Sequence, residues 1–311
     1  TFREINQGAG KQMMYFADTT RGKNYAKDPA VVFFGGRYLM YYSVPPWGDG
    51  RPHDGWVIGV AESRDLDNWT KICDLPRLTA LEENGFCAPG AIVLDGTVHL
   101  FYQTYGNGAN DAICHAVSRD GIRFTPNETN PVFHPAGDWT CGRAIDADVI
   151  PFRRLWLYVA TRDPKMEIQK LAVASAPLDG AFRRDEWRQE CSDSILQPEL
   201  PWEQKCIEAP ALCEHEGRLY LFYGGAYNNC PQQIGCAVSE DAVHWKRVSD
   251  SPVLPCGEPG SWNSSESGHP FVFTAPDGVQ HLFYQGNSDH GRSWYLSRRE
   301  IRWRGGVPVF E

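Results

Sequence analysis

One unit of about sixty residues recurs five times along this 311-residue chain. Each copy opens on a small or acidic residue ahead of an apolar strand, turns at Gly or Asp, and returns as an aromatic strand. The copies read DPAVVFFGGRYLMYYS (28–43), APGAIVLDGTVHLFYQ (88–103), IDADVIPFRRLWLYVA (145–160), APALCEHEGRLYLFYG (209–224) and HPFVFTAPDGVQHLFYQ (269–285). Their starts at 28, 88, 145, 209 and 269 lie 60, 57, 64 and 60 residues apart. Pro29, Pro89, Pro210 and Pro270 sit near the start of four copies, and Asp146 stands near that place in the third. A second element follows each hairpin: GVAESRDLDNW (59–69), HAVSRDGIRF (115–124) and CAVSEDAVHW (236–245), with weaker forms at 171–182 and 295–303. It reads as a short alternating strand, a Ser-x-Asp turn and an aromatic strand. Four strands per unit, repeated radially, make propeller blades.

The expected fold is therefore all-β: a five-bladed β-propeller with four-stranded blades around a central channel, one domain over 1–311. The blades fall at about 24–75, 83–130, 140–190, 200–255 and 262–305, with inner strands opening near 29, 89, 146, 210 and 270. Residues 1–23 and 304–311 flank the repeats, and one of these ends is expected to complete a blade and close the ring. Two stacked β-sandwiches are the competing architecture, but they give no reason for five near-equal units. An aromatic content of 13%, with 30 Gly and 22 Pro, suits short strands and frequent turns.

A net charge of −9 repels phosphate backbones, which argues against nucleic acid as a partner. No apolar run approaches the roughly 20 residues of a membrane helix, so no membrane partner is expected. The ten cysteines are scattered without a C-x-x-C pair, which argues against zinc and leaves disulfide pairing open. The chain starts at Thr1 with no signal-like apolar segment, so a periplasmic, secreted or cytoplasmic location stays open. Oligomeric state is equally open.

Blade geometry locates the chemistry. The first strand of each blade lines the channel, so the five strand starts and the loops after the second strands share one rim. Asp28, Asp146 and Glu208 lie at or beside strand starts in blades one, three and four. Any one of them alone is more readily a turn cap, or a partner of Arg143 or Lys27. Three acids at equivalent places around one channel repel one another and pay for burial, which points to use in catalysis. Asp148 competes with Asp146 for its place.

These motifs resemble those of the five-bladed propeller glycosidases, above all glycoside hydrolase family 43, with families 32, 62, 68 and 117 as relatives. The resemblance rests on Asp28-Pro29 in blade one, Phe86-Cys87-Ala88-Pro89 in blade two, Ile145-Asp146 in blade three and Glu208-Ala209-Pro210 in blade four. It spans residues 24 to about 303. It implies hydrolysis of a glycosidic bond with Asp28 as general base, Asp146 as modulator of the acid's pKa, and Glu208 as general acid. A base that activates water works with inversion, its carboxyl roughly 6.5–9.5 Å from the acid. Arg162-Asp163-Pro164 resembles a fructan-hydrolase motif, but it follows the second strand of blade three, and the Asn-Asp-Pro-Asn-Gly opening of those enzymes is absent. A fructosidase is accordingly disfavoured.

The loops after the second strands are expected to wall the pocket with Trp47, His53, Trp56, Tyr105, Asn107, Arg162, Tyr227, Asn228, Asn287, His290 and Arg292. Aromatic faces stack on sugars, and guanidinium groups bind hydroxyls or carboxylates. Three basic rim residues, Arg162, His290 and Arg292, point toward an acidic or sulfated sugar. His269, at a strand start in blade five, has three readings: substrate contact, packing, or, by the family resemblance, contact with a structural calcium or sodium ion in the channel. No cofactor is required. The leading expectation is an exo-acting, inverting glycosidase on a plant or algal oligosaccharide, such as an α-L-arabinofuranosidase. An anhydro-galactosidase with His269 as acid and a non-catalytic carbohydrate-binding propeller are the alternatives.

Overall fold

The computed structural model describes residues 13–310 and contains five antiparallel four-stranded sheets, each built from strands consecutive in sequence. The inner strands are Lys27–Phe34, Phe86–Leu94, Ile145–Phe152, Ile207–His215 and Glu266–Thr274. Each packs beside the next, and the fifth packs beside the first, which closes the ring of a five-bladed β-propeller. The second strands, Arg37–Val44, Thr97–Thr104, Arg154–Arg162, Arg218–Gly225 and Gln280–Asn287, return to the rim where the inner strands start.

The inner strands begin one to four residues before the expected positions, because pairing extends N-terminal to each proline. Near that point every blade carries a bulge: the register shifts between Lys27 and Ala30, Cys87 and Gly90, Glu208 and Ala211, Gly268 and Phe271, and opposite Asp146-Ala147 in blade three. Residues inside a bulge leave the ladder, so a proline there removes no hydrogen bond. This is the physical reason for the repeated proline.

Apolar residues of neighbouring blades interdigitate to form the core. Val31, Leu39 and Tyr42 of blade one share a buried cluster with Leu100 and Tyr102 of blade two and Phe283 of blade five. The Ser-x-Asp turns also join blades. In blade two the Ser118 hydroxyl accepts from Gly121 N (2.8 Å), and the Gly121 carbonyl accepts from Tyr41 of blade one (2.7 Å). The Ala242 carbonyl of blade four likewise accepts from Tyr158 of blade three (2.6 Å).

Both ends of the chain complete blade five. Val307–Phe310 forms its outer strand, beyond residue 305, and Phe16 pairs with Leu296 through hydrogen bonds of 2.9 and 2.8 Å. In blades two, three and four the same third-strand edge is covered by Phe133, Leu196 and Leu254, from the segment leading to the next blade. The N-terminal segment thus supplies to blade five what the chain elsewhere supplies as it moves on.

Candidate active site

The bulges set the site. One residue in each has left-handed backbone: Asp28 (φ 54°), Ala88 (46°), Asp146 (55°), Ala209 (53°) and His269 (40°). For a residue with a side chain this conformation costs about 1–2 kcal/mol, and surrounding contacts must hold it. In every blade the N–H of that residue donates to a side chain of the preceding blade. Asp28 N reaches Gln285 (3.0 Å), Ala88 N reaches Ser43 (2.8 Å), Asp146 N reaches Gln103 (2.7 Å), Ala209 N reaches Asp146 (3.2 Å) and His269 N reaches Gln232 (3.0 Å). Asp28, Asp146 and His269 are therefore equivalent, whereas Glu208 sits one residue before its bulge. The expectation of three acids at equivalent positions is corrected on this point: the third equivalent side chain is the imidazole of His269.

Asp28, Asp146, Glu208 and His269 are all buried and line one cavity of about 160 Å³ at the strand starts. His269 Nδ1 lies 3.0 Å from Asp28 Oδ1. Burial alone would raise the Asp28 pKa, but the His269 and Lys27 charges outweigh it and hold the carboxyl well below its usual range. Burial would depress His269, yet Asp28 and Asp146 push it up to about 9. Asp146 is raised to about 7, first by burial, then by Glu208 and Asp28, against the opposing pull of His269 and Arg143. Its Oδ2 accepts from Ala209 N, which draws it to the residue next to Glu208. Glu208 is gripped by two amides: Gln169 Nε2 donates to one oxygen and Gln232 Nε2 to the other, the latter at 2.7 Å.

Lys27 is the cation behind Asp28. Its ammonium lies 4.5 Å from the Trp294 ring centroid, and burial is outweighed by Asp28 and Glu266, which raise its pKa. Oriented to suit both neighbours, the Asn228 amide accepts from Lys27 (3.1 Å) and donates to Glu266 (3.0 Å).

Of the predicted residues, Trp56, Tyr105, Arg162, Tyr227, Asn228 and His269 line the cavity with the three acids. Trp47, His53, Asn107, Asn287, His290 and Arg292 do not. Trp47, 46% exposed, lies between the guanidinium groups of Arg21 and Arg51, and His53 pairs with Glu83 on the outside of its loop. Asn107 bonds Asn84, Asn287 is buried against Asn229, and His290 and Arg292 are exposed on their loop. Asp148 accepts from Leu212 N (2.8 Å) and lines a separate apolar hollow at the far ends of the inner strands, with Val31, Ile150 and Phe271.

Sequence reasoning missed the glutamines Gln103, Gln169, Gln232 and Gln285, together with Glu266, and gave Lys27 and Arg143 only a pairing role. A signal existed for two of them: Gln103 and Gln285 end their repeat copies at the place where Ser43 ends the first. All ten cysteines are free thiols. Among the described residues no group of three or more His, Cys, Asp or Glu is arranged to hold a metal ion. His269 Nδ1 pairs with Asp28.

Solved structures share this architecture. A thermostable family-43 glycoside hydrolase superposes with a TM-score of 0.74 at 21% identity, over 92% of each chain. An α-L-arabinofuranosidase from Lactobacillus brevis gives 0.70 at 17%, over 92% of this chain and 94% of that one. An endo-1,4-β-xylanase from Bacteroides thetaiotaomicron gives 0.70 at 21%, over the same shares. A search of curated proteins finds no match. The model of glycosyl hydrolases family 43 matches residues 21–308, nearly the whole propeller, and the chain accordingly belongs to that family of glycoside hydrolases.

Proposed function

We propose that this glycoside hydrolase removes a terminal sugar from a plant or algal oligosaccharide with inversion, using Asp28 as base, Asp146 as modulator and Glu208 as acid. The observation that carries the reading is the contrast between carboxyls in one cavity. A general base must be ionised, and Asp28 is held so by His269 and Lys27. Asp146 accepts from Ala209 N, the residue next to Glu208, so a second carboxyl from a different blade stands beside the proposed acid, as a modulator must. Left-handed backbone and a glutamine clamp fix both partners before substrate arrives, as positioning for catalysis requires.

In this reading Asp28 takes a proton from water as that water attacks the anomeric carbon, and Glu208 protonates the departing oxygen. The cavity is smaller than the roughly 300–1,000 Å³ of a typical drug-sized pocket, which suits one terminal sugar and supports exo action. Trp56 and Tyr105, with ring centroids 6.1 Å apart, offer apolar faces at its mouth.

The test compares leaving groups. Glu208→Gln should cut the rate on a natural oligosaccharide by about 10²–10⁴-fold and spare an activated aryl glycoside, while Asp28→Asn should abolish both. NMR should show the inverted anomer first. Full activity of Glu208→Gln on the natural glycan would reject Glu208 and make His269 the next acid to test.

A further inference from the structure

We infer that Arg162 and Arg143 form an anion-binding subsite in this cavity, so that the sugar recognised carries a carboxylate or a sulfate. The inference deepens the function proposed above and rests on it. Both guanidinium groups line the cavity. Their carrier segments are joined: Cys141 N donates to the Arg162 carbonyl (2.9 Å), and Ala144 N to that of Asp111 (2.9 Å). Both also act electrostatically on the Tyr227 hydroxyl, Arg162 more strongly, so the two charges approach one wall.

Arg162 is held without being neutralised. Its Nε donates to Gln169 Oε1 (2.8 Å), and its plane lies 5.4 Å from the Tyr227 ring centroid. Among the described residues it makes no ion pair. Arg143 is 8% exposed; among the described residues its one ion pair, to Asp111, is long at 3.5 Å, and its buried Nε has no hydrogen-bond partner. The other cavity cations are answered closely, Lys27 by Asp28 and Glu266, His269 by Asp28. A half-buried guanidinium with no carboxylate on it, as at Arg162, or a buried one with only a distant carboxylate, as at Arg143, is a costly arrangement. It is the geometry that bidentate recognition of a carboxylate or sulfate uses.

The location gives the subsite a function. Gln169 bonds Arg162 through its oxygen and Glu208 through its nitrogen, so one amide separates the anion site from the proposed acid. A substrate anion docked on Arg162 sets the distance of the scissile oxygen from Glu208.

Calorimetry on the full chain tests this with matched probes: D-galacturonate and D-glucuronate for the carboxylate, D-galactose 6-sulfate for the sulfate, and D-galactose and D-glucose as neutral parents. At low salt at least one anionic sugar should bind about tenfold or more tighter than its parent, and added NaCl should erode the difference. Which probe shows it distinguishes carboxylate from sulfate. Arg162→Gln and Arg143→Gln should bring the ratio toward one. Arg162→Lys, which keeps the charge but not the fork, should retain part of it, whereas a merely structural arginine would move stability and leave the ratio alone. A protein that binds no anionic sugar, or binds each no tighter than its parent, overturns the inference. Hydrolysis of neutral glycosides that is lost in Asp28→Asn, without any preference for anions, would leave the glycosidase reading standing and this one fallen.

Discussion

Asp148 offers a sharp test of how this channel handles charge. It lies two residues after Asp146 on the same inner strand, yet its carboxyl is turned to the apolar hollow at the opposite end. Burial raises its pKa from 3.8 to about 7 despite hydrogen bonds from Leu212 and Val149 N–H groups. Below pH 3.8 the carboxyl is protonated in both folded and unfolded chains. Between 3.8 and 7 the folded protein keeps a proton that the unfolded chain has released, so stability falls as pH rises, by about 1.36 kcal/mol per unit. Above 7 both forms are ionised and the loss levels off. Raising the pH from 5 to 8 crosses two of those units, a loss of about 2.7 kcal/mol. Asp148→Asn keeps an acceptor for Leu212 N and cannot ionise. Urea unfolding of both proteins, followed by tryptophan fluorescence at pH 5 and pH 8, should show the variant gaining about 2–3 kcal/mol on the wild type between the two conditions. Asp146, Glu266 and His269 also titrate in this range, but they are common to both proteins and cancel in the comparison. A stability difference that is the same at both pH values would refute the argument. Glycosidase activity of the variant should persist, which would also resolve the ambiguity between Asp146 and Asp148.

Trp56→Ala should raise KM for oligosaccharide with little change in kcat, whereas Trp47→Ala, away from the cavity, should leave both near wild type; steady-state kinetics decide. Lys27→Met removes a charge that holds Asp28 ionised, so the acid limb of the pH profile of kcat/KM should move to higher pH. An unmoved limb would remove Lys27 from the account. Gly121→Ala puts a Cβ 2.4 Å from Leu39 Cδ1 at a residue with φ +78°, and should cost about 1–3 kcal/mol in thermal or urea unfolding.

The propeller could be read from the sequence because its repeat is local: a hairpin, a Ser-x-Asp turn and another strand fall within sixty residues each time. The three acids were visible for the same reason, since prolines mark the bulge beside Asp28 and Glu208 and the repeat spacing marks that of Asp146. What could not be read is the single-residue offset of Glu208. A bulge adds one residue to the strand, and that reverses which of two neighbours faces the channel. The charge partners were hidden differently. His269 reaches Asp28, and Gln285 its backbone N–H, across the closing seam of the ring, from the far end of the sequence. Gln169 and Gln232 stand at matching places, two residues before Leu171 and Ile234 of the third strands, but outside the motifs that repeat, and Gly224 leaves the room that Gln232 fills. Apart from Asn287, which ends a strand, the rim residues that fell outside the cavity sit on loops, where side-chain direction follows local turns and partners such as Asp54 rather than the repeat.

The seam also sets an order for biosynthesis. Phe16 finds its partner Leu296 only after the whole of residues 17–295 has been made. Closing a loop of that length costs about 5 kcal/mol of chain entropy, and propeller assembly lowers this by lining up four blades first. Asp28 and His269, which pair at 3.0 Å, lie on opposite sides of the same seam. With four blades in place Glu208 already has both of its glutamines while Asp28 still lacks the imidazole, and the docking of blade five completes both the ring and the Asp28–His269 pair.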